Sequence, residues 1–148
     1  MPAPARDWIW FVATFVPPFL TLCALIVGIN TLRNSIRQWR WTFCTKEWST
    51  LMQMLANNAR YMDPANTADY KNKFTGDEAP KYDLIARLCI GYLDDLWFLG
   101  SEQEMKTWFC GSMRLFGGTH RAWLRDHSAA YDPRFYNFLD QWLNDNKV

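Results

Sequence analysis

Charged residues are missing from a long stretch near the N-terminus of this chain. No Asp, Glu, Lys or Arg occurs from Trp8 to Leu32, and residues 8–30 are strongly apolar. A helix rises about 1.5 Å per residue and a hydrocarbon core is about 30 Å thick, so this run is long enough to cross a membrane. Trp8 and Trp10 stand at its start, where indole rings favour the membrane–water interface. We therefore expect a short tail, residues 1–7, followed by one transmembrane helix, residues 8–30.

The same run lacks the features of two other kinds of segment. A cleaved signal peptide has a shorter apolar region, of roughly 7–15 residues, and a small-x-small cleavage site. A buried core helix of a soluble protein is seldom so long or so uniformly apolar. The run also contains no ionisable side chain and no histidine, which argues against an ion path or an axial haem ligand inside the membrane.

Pro17 and Pro18 fall in the middle of the predicted span. Each proline removes a backbone N–H donor, which favours a kink in the helix. Membrane helices tolerate such prolines when neighbouring groups satisfy the carbonyls that lose their donors. The kink therefore indicates either a partner helix at this depth or a simple bend that faces lipid, and the sequence leaves both open.

The chain has little excess charge of either sign, with 16 Lys+Arg against 15 Asp+Glu, and this balance does not favour a nucleic-acid partner. The basic residues that set the topology are Arg33, Arg37 and Arg40 after the span, whereas only Arg6 precedes it. The positive-inside rule then places the N-terminus outside and the body in the cytoplasm, for which a bacterial inner membrane is the expected location.

The four cysteines are widely spaced without a C-x-x-C pair, which is typical of reduced thiols.

Residues 31–62 contain neither proline nor glycine, so we expect the membrane helix to continue through them as a juxtamembrane amphipathic helix. The arginines recur at helical spacing beside an apolar stripe, and the tryptophans fall on both faces. Tryptophan and arginine together are typical of protein interfaces, and arginines at this depth reach anionic lipid headgroups. The residues that we predict at a lipid or partner interface are Arg33, Arg37, Arg40, Trp39, Trp41, Trp48, Pro17 and Pro18.

The rest of the chain is predicted to be a small soluble helical bundle. Residues 63–80 are rich in turn formers and are expected to form a long loop, whereas residues 81–148 form the cytoplasmic helical body. Ser101 to Glu104 is a capping box, and Asp132-Pro133 is a strong start signal for a final helix. No stretch shows the alternating pattern of a strand. The predicted fold class is therefore all-α, with a transmembrane helix, a juxtamembrane helix and a helical bundle.

Two stretches of the body form a recognisable combination. IARLCIGYLDDLWFLGSEQE, residues 85–104, has an aromatic-rich helix and a glycine–acidic turn, and DPRFYNFLDQWL, residues 132–143, begins with an Asp-Pro helix start. In these stretches the chain resembles an uncharacterised group of short bacterial single-span membrane proteins with a C-terminal helical body. The resemblance implies a fold and no particular reaction.

Catalytic motifs are also lacking. The sequence has no G-x-S-x-G elbow, no glycine-rich phosphate loop and no H-E-x-x-H pair. On one helix, His120 and His127 would lie about 10 Å apart along the axis, too far to share a small metal ion. Asp94 and Asp95 are adjacent, so on a helix they point in different directions and form no facing carboxylate pair.

We therefore expect a protein that is not an enzyme and that needs no cofactor or metal. Its expected role is that of an accessory, assembly or scaffold subunit of a larger membrane complex, such as a bacterial respiratory or photosynthetic complex. The alternative is a membrane-tethered sensor or effector whose helical body binds a small molecule or a soluble protein. The expected partners are other membrane subunits and anionic lipid headgroups, and not nucleic acid.

Overall fold

The computed structural model describes the backbone of residues 3–148 and, within that range, all side chains except those of residues 3–7, 9 and 11. All regular structure in the described residues is helical, which confirms the all-α prediction. The chain divides into two compact units, Met1–Phe43 and Cys44–Val148. The α-helices are α1 (Ala3–Ala56), α2 (Pro64–Thr67), α3 (Tyr70–Lys73), α4 (Glu78–Leu99), α5 (Glu102–Trp108), α6 (Cys110–Ser112), α7 (Arg121–Asp126) and α8 (Pro133–Asp145).

Helix α1 contains the apolar run and is long and apolar enough to cross a membrane. Its segment Val12–Ala56 includes an 18-residue window with a mean hydropathy of 2.2, and none of that window is buried. A core helix of a soluble protein would bury such a surface against other elements. The apolar window of α1 is therefore not part of a packed core.

Both ends of α1 differ from the prediction. Of the predicted tail, residues 1–7, the first two positions lie outside the described residues, and the backbone is already helical from Ala3. The juxtamembrane helix predicted to span 31–62 ends at Ala56 and is followed by a short 3₁₀ turn, Ala59–Met62. The physical reason is Asn58, whose side-chain amide donates to the carbonyl of Met54 at 2.8 Å. Asparagine side chains compete with backbone donors in this way and so end helices.

The loop predicted for residues 63–80 is instead largely helical. It contains α2 and α3, and α4 begins three residues before the predicted boundary, at Glu78. Asp63 caps α2, because its carboxylate accepts from the backbone N–H of Ala65 at 2.9 Å and Pro64 occupies the first turn. The Asp-Pro pair thus starts a helix as well as ending the preceding segment. Phe74, which follows α3, is buried, and its ring centroid lies 4.5 Å from that of Tyr82.

Helix α4 lies at the centre of the second unit. Ile85, Cys89 and Leu93 are buried, as the helical spacing predicts. The neighbouring stripe is only partly buried, because Leu84 and Leu88 remain 56% and 43% exposed. The core-facing surface of α4 is therefore narrow, and it packs against the segment from α5 to α8.

The segment between α5 and α7 departs from regular α-helix. A π-helical turn spans Met113–Gly118 and includes two glycines at its end. Close packing explains the glycine at position 117, because a Cβ there would lie 3.1 Å from Cδ1 of Leu139 on α8. The extra residue of a π turn shifts the side chains that follow, and His120 lies buried just beyond it.

Helix α8 has the predicted start. The carboxylate of Asp132 accepts from the backbone N–H of Arg134 at 2.7 Å, which satisfies a donor that the first turn would leave unpaired. Phe135, Leu139 and Leu143 are fully buried on one face. Helix α8 thus closes the core of the second unit.

Candidate functional site

The predicted interface in the first unit consists of exposed side chains. Arg33, Arg37 and Arg40 are all exposed, and none of them takes part in an ion pair with another described residue. Trp39 and Trp41 are each 61% exposed. A helix surface with free guanidinium groups and exposed indole rings has the chemistry of a membrane–water boundary, where Arg binds phosphate and Trp lies among the headgroups.

Pro17 and Pro18 lie within α1, and the backbone is helical on both sides of them. Neither proline has an N–H to donate, so the carbonyls of Ala13 and Thr14 lose the donors that a regular helix supplies. The hydroxyl of Thr21 donates to the carbonyl of Pro17 at 2.8 Å. In a bilayer, the two carbonyls without helical donors would require a partner helix or water.

Trp48 belongs to the second unit and packs into it. Its ring centroid lies 5.4 Å from that of Phe116 and 6.0 Å from that of Tyr92. The hydroxyl of Tyr92 donates to the backbone carbonyl of Cys44 at 3.4 Å. These contacts hold the C-terminal part of α1 in the core, and we therefore leave Trp48 out of the proposed interface.

His120 is completely buried in an aromatic part of the core. Its Nδ1 lies 3.3 Å from the hydroxyl of Tyr82, and its Nε2 lies 3.3 Å from the sulfur of Met62. Burial lowers the pKa of His120 to about 4, because the charged imidazolium would lose its hydration. The imidazole is therefore neutral near pH 7, and its contacts are those of a packed core residue.

His127 lies in a separate polar network at the surface. Its Nδ1 donates to the carbonyl of Trp123 at 2.9 Å, and the indole N–H of Trp123 donates to Asp83 at 2.9 Å. Nearby, the hydroxyl of Tyr70 donates to Asp126 at 2.6 Å. The hydrogen bonds from Lys71 and from Tyr70 lower the pKa of the Asp126 carboxyl. These hydrogen bonds link α3, α4 and α7.

Within the described residues, no group of three or more His, Cys, Asp or Glu side chains is placed to hold a metal ion.

The second unit also contains an open groove that the sequence does not predict. It encloses about 770 Å³ where the end of α4 meets the starts of α5 and α8. Four carboxylates line it, and the only basic side chain in its wall is Arg134. The wall also contains two aromatic rings, of which Phe98 is 84% exposed. The charged side chains and the exposed phenylalanine of this groove are Asp94, Asp95, Phe98, Glu102, Asp132 and Arg134.

The adjacent carboxyls of Asp94 and Asp95 lie in this groove without a salt bridge to another described residue. The pKa of Asp94 is raised by partial burial and by the negative charges of Asp95 and Asp132. The pKa of Asp95 is raised by partial burial and by the charge of Glu47. Both carboxylates therefore lie in a region of negative potential that the protein itself does not neutralise.

The sequence gives the individual helix ends of this groove but not their meeting point. Gly100, Ser101 and Asp132 are each recognisable as local stop or start signals. That three such ends lie together depends on the packing of α4, α5 and α8, which no local pattern specifies. The adjacent acidic residues Asp94 and Asp95 are the sequence feature that could have indicated this groove.

Comparison of the chain with family models, curated proteins and solved structures finds no match.

Proposed function

We propose that this chain is a membrane-anchored, non-catalytic accessory, assembly or scaffold subunit of a larger membrane complex. In this proposal residues 8–30 cross a bacterial inner membrane, the N-terminus lies outside and the body of the protein lies in the cytoplasm. The free arginines at positions 33, 37 and 40 support this orientation, because positive charge accumulates on the cytoplasmic side. They also favour contact with anionic headgroups.

One observation carries the proposal: the second unit leaves large aromatic side chains in solvent although its core is well packed. Phe98 and Trp108 are 84% and 67% exposed. Aromatic anchors of this kind are enriched in protein–protein interfaces. A subunit of a larger complex would bury these rings against its neighbours.

A second candidate function has its own support. The groove volume of about 770 Å³ lies in the range of small-molecule sites, roughly 300–1,000 Å³. A membrane-tethered sensor would use such a groove for a small ligand. The two functions differ in what should be found in the membrane: a stable complex for a subunit and an isolated chain for a sensor.

The test is purification of the tagged full-length chain in mild detergent, followed by a native gel and mass spectrometry of the band. The subunit proposal predicts one band of fixed composition, and it predicts that Trp108→Ser weakens this association while Leu84→Ser, an exposed apolar control on α4, does not. A band of monomer or dimer mass in the wild type would contradict the subunit proposal and favour the sensor.

A further inference from the structure

The groove at the meeting point of α4, α5 and α8 has an apolar anchor that projects into solvent. Phe98 is the most exposed large hydrophobic side chain in the described part of the chain. It lies on the last turn of α4, beside an open depression rather than inside a closed cavity. Burying an exposed phenylalanine side chain is favourable, so an occupant that covers Phe98 gains free energy from that contact.

The charges around Phe98 are unbalanced. Of the carboxylates in the groove, Asp132 is paired with Arg134 at 3.0 Å and Glu102 lies 3.6 Å from Lys106. Asp94 and Asp95 have no such partner among the described residues. Both lie near the C-terminal end of α4, where the helix dipole also disfavours a negative charge. A cation placed beside this pair would relieve both the mutual repulsion and the unfavourable dipole interaction.

We propose that this groove docks a segment of a partner protein that carries Lys or Arg next to apolar residues. Phe98 supplies the apolar anchor, and Asp94 and Asp95 pair with the basic side chains of that segment. This inference rests on the proposed function, because it names the partner chemistry at the subunit interface. An anionic lipid surface does not fit, since the carboxylates would repel it. A small cation would pair with the carboxylates but would leave the ring of Phe98 exposed.

A photo-crosslinker at position 98 tests the inference in the native membrane. Phe98 is replaced by benzoylphenylalanine in the full-length chain, the membranes are irradiated, and the adduct is sequenced by mass spectrometry. The expected adduct is a peptide with net positive charge from another protein. An adduct with lipid, with a second copy of this chain or with a neutral or acidic peptide would overturn the inference, as would the lack of any adduct.

Charge variants show whether the carboxylates contribute. A variant with Asp94→Asn and Asp95→Asn should lose most of the adduct at position 98, while Asp77→Asn with Asp145→Asn, exposed acidic residues outside the groove, should keep it. A defined probe gives the affinity: a fluorescent Leu/Lys helical peptide should bind the purified full-length chain about tenfold more weakly after the groove substitutions, with its Leu/Glu counterpart not binding. Equal affinity in both variants would contradict the inference.

The two proposals fail in different ways. If the wild type forms a complex of fixed composition but position 98 gives no basic adduct, the docking inference is wrong and the subunit function stands. If the wild type forms no complex, the proposed function fails and the docking inference fails with it.

Discussion

The hydroxyl of Tyr82 lies 3.3 Å from Nδ1 of His120, and both side chains are buried in the core of the second unit. The other ring nitrogen of His120 faces the sulfur of Met62 at 3.3 Å. A thioether is a weak hydrogen-bond acceptor and does little to stabilise a charged imidazolium. The site therefore accepts the neutral imidazole and disfavours the protonated form.

This arrangement predicts a specific dependence of stability on pH. The folded pKa of His120, about 4, lies below the value of about 6.5 in an unfolded chain, so the unfolded state binds the proton more tightly. The neutral His120 therefore makes its full contribution to the free energy of unfolding above a pH of about 6.5. This contribution is lost as the pH falls toward about 4. The loss amounts to about 3 kcal/mol of unfolding free energy.

Denaturant unfolding of the full-length chain in micelles, followed by tryptophan fluorescence across this pH range, checks the prediction. His120→Asn should flatten the pH dependence of the free energy of unfolding between about pH 4 and about pH 6.5, even if it lowers the stability at every pH. His127→Asn, which changes the partly exposed histidine at the end of α7, is the matched histidine variant for comparison. An unchanged slope in His120→Asn would show that other groups cause the dependence.

The glycine at position 117 gives a prediction about packing. A Cβ at Gly117 would lie 3.1 Å from Cδ1 of Leu139, so Gly117→Leu should force the π turn and α8 apart. Overpacking of this kind destabilises by about 1–3 kcal/mol. Gly91 on α4 is the matched control, because a Cβ there would meet nothing within 4 Å. Gly91→Ala should stabilise the helix by up to about 1 kcal/mol, as measured by denaturant unfolding.

The result for the glycine pair is informative in either direction. If Gly117→Leu were as stable as the wild type, the close approach of the π turn to α8 would not exist in solution. If Gly91→Ala were strongly destabilising, the open space beside that helix would be filled in the assembled protein.

The arginines of α1 give a prediction about lipids. Replacing Arg33, Arg37 and Arg40 by Gln should weaken the retention of anionic lipids, because each basic residue near a membrane surface contributes about 1 kcal/mol. Native mass spectrometry of the chain released from nanodiscs measures the retained phosphatidylglycerol and phosphatidylcholine. Arg114→Gln, an exposed arginine of the second unit, is the control and should have no effect. Retention that is equal in all variants would mean that these arginines bind no lipid.

Local chemistry explains why some features were predictable. The capping box at Ser101 and the Asp132-Pro133 start are set by neighbouring residues, since the side chains bond to amides two or three positions away. The apolar run likewise needs only its own composition to be recognised. These features define the all-α fold class and the start of α8.

Non-local packing explains what the sequence did not predict. Leu84 and Leu88 recur at helical spacing but remain exposed, because the position of the neighbouring helices decides which stripe of α4 is covered. Trp48 packs against the buried ring of Phe116 for the same reason. The groove is the strongest case, since it forms only where the ends of three helices meet. Side-chain periodicity identifies an apolar face but not what covers it.

Every proposal above depends on α1 crossing a bilayer with the second unit inside the cell, and Cys110 allows a direct measurement. It is the one exposed cysteine of the four in the chain, whereas Cys44 and Cys89 are buried. Intact cells or oriented membrane vesicles are treated with a membrane-impermeant maleimide before and after permeabilisation, with Cys110→Ser as the control. The account predicts that the chain resists alkaline extraction and that Cys110 is labelled only after permeabilisation. Release of the chain into the alkaline supernatant, or labelling of Cys110 from outside, would contradict it.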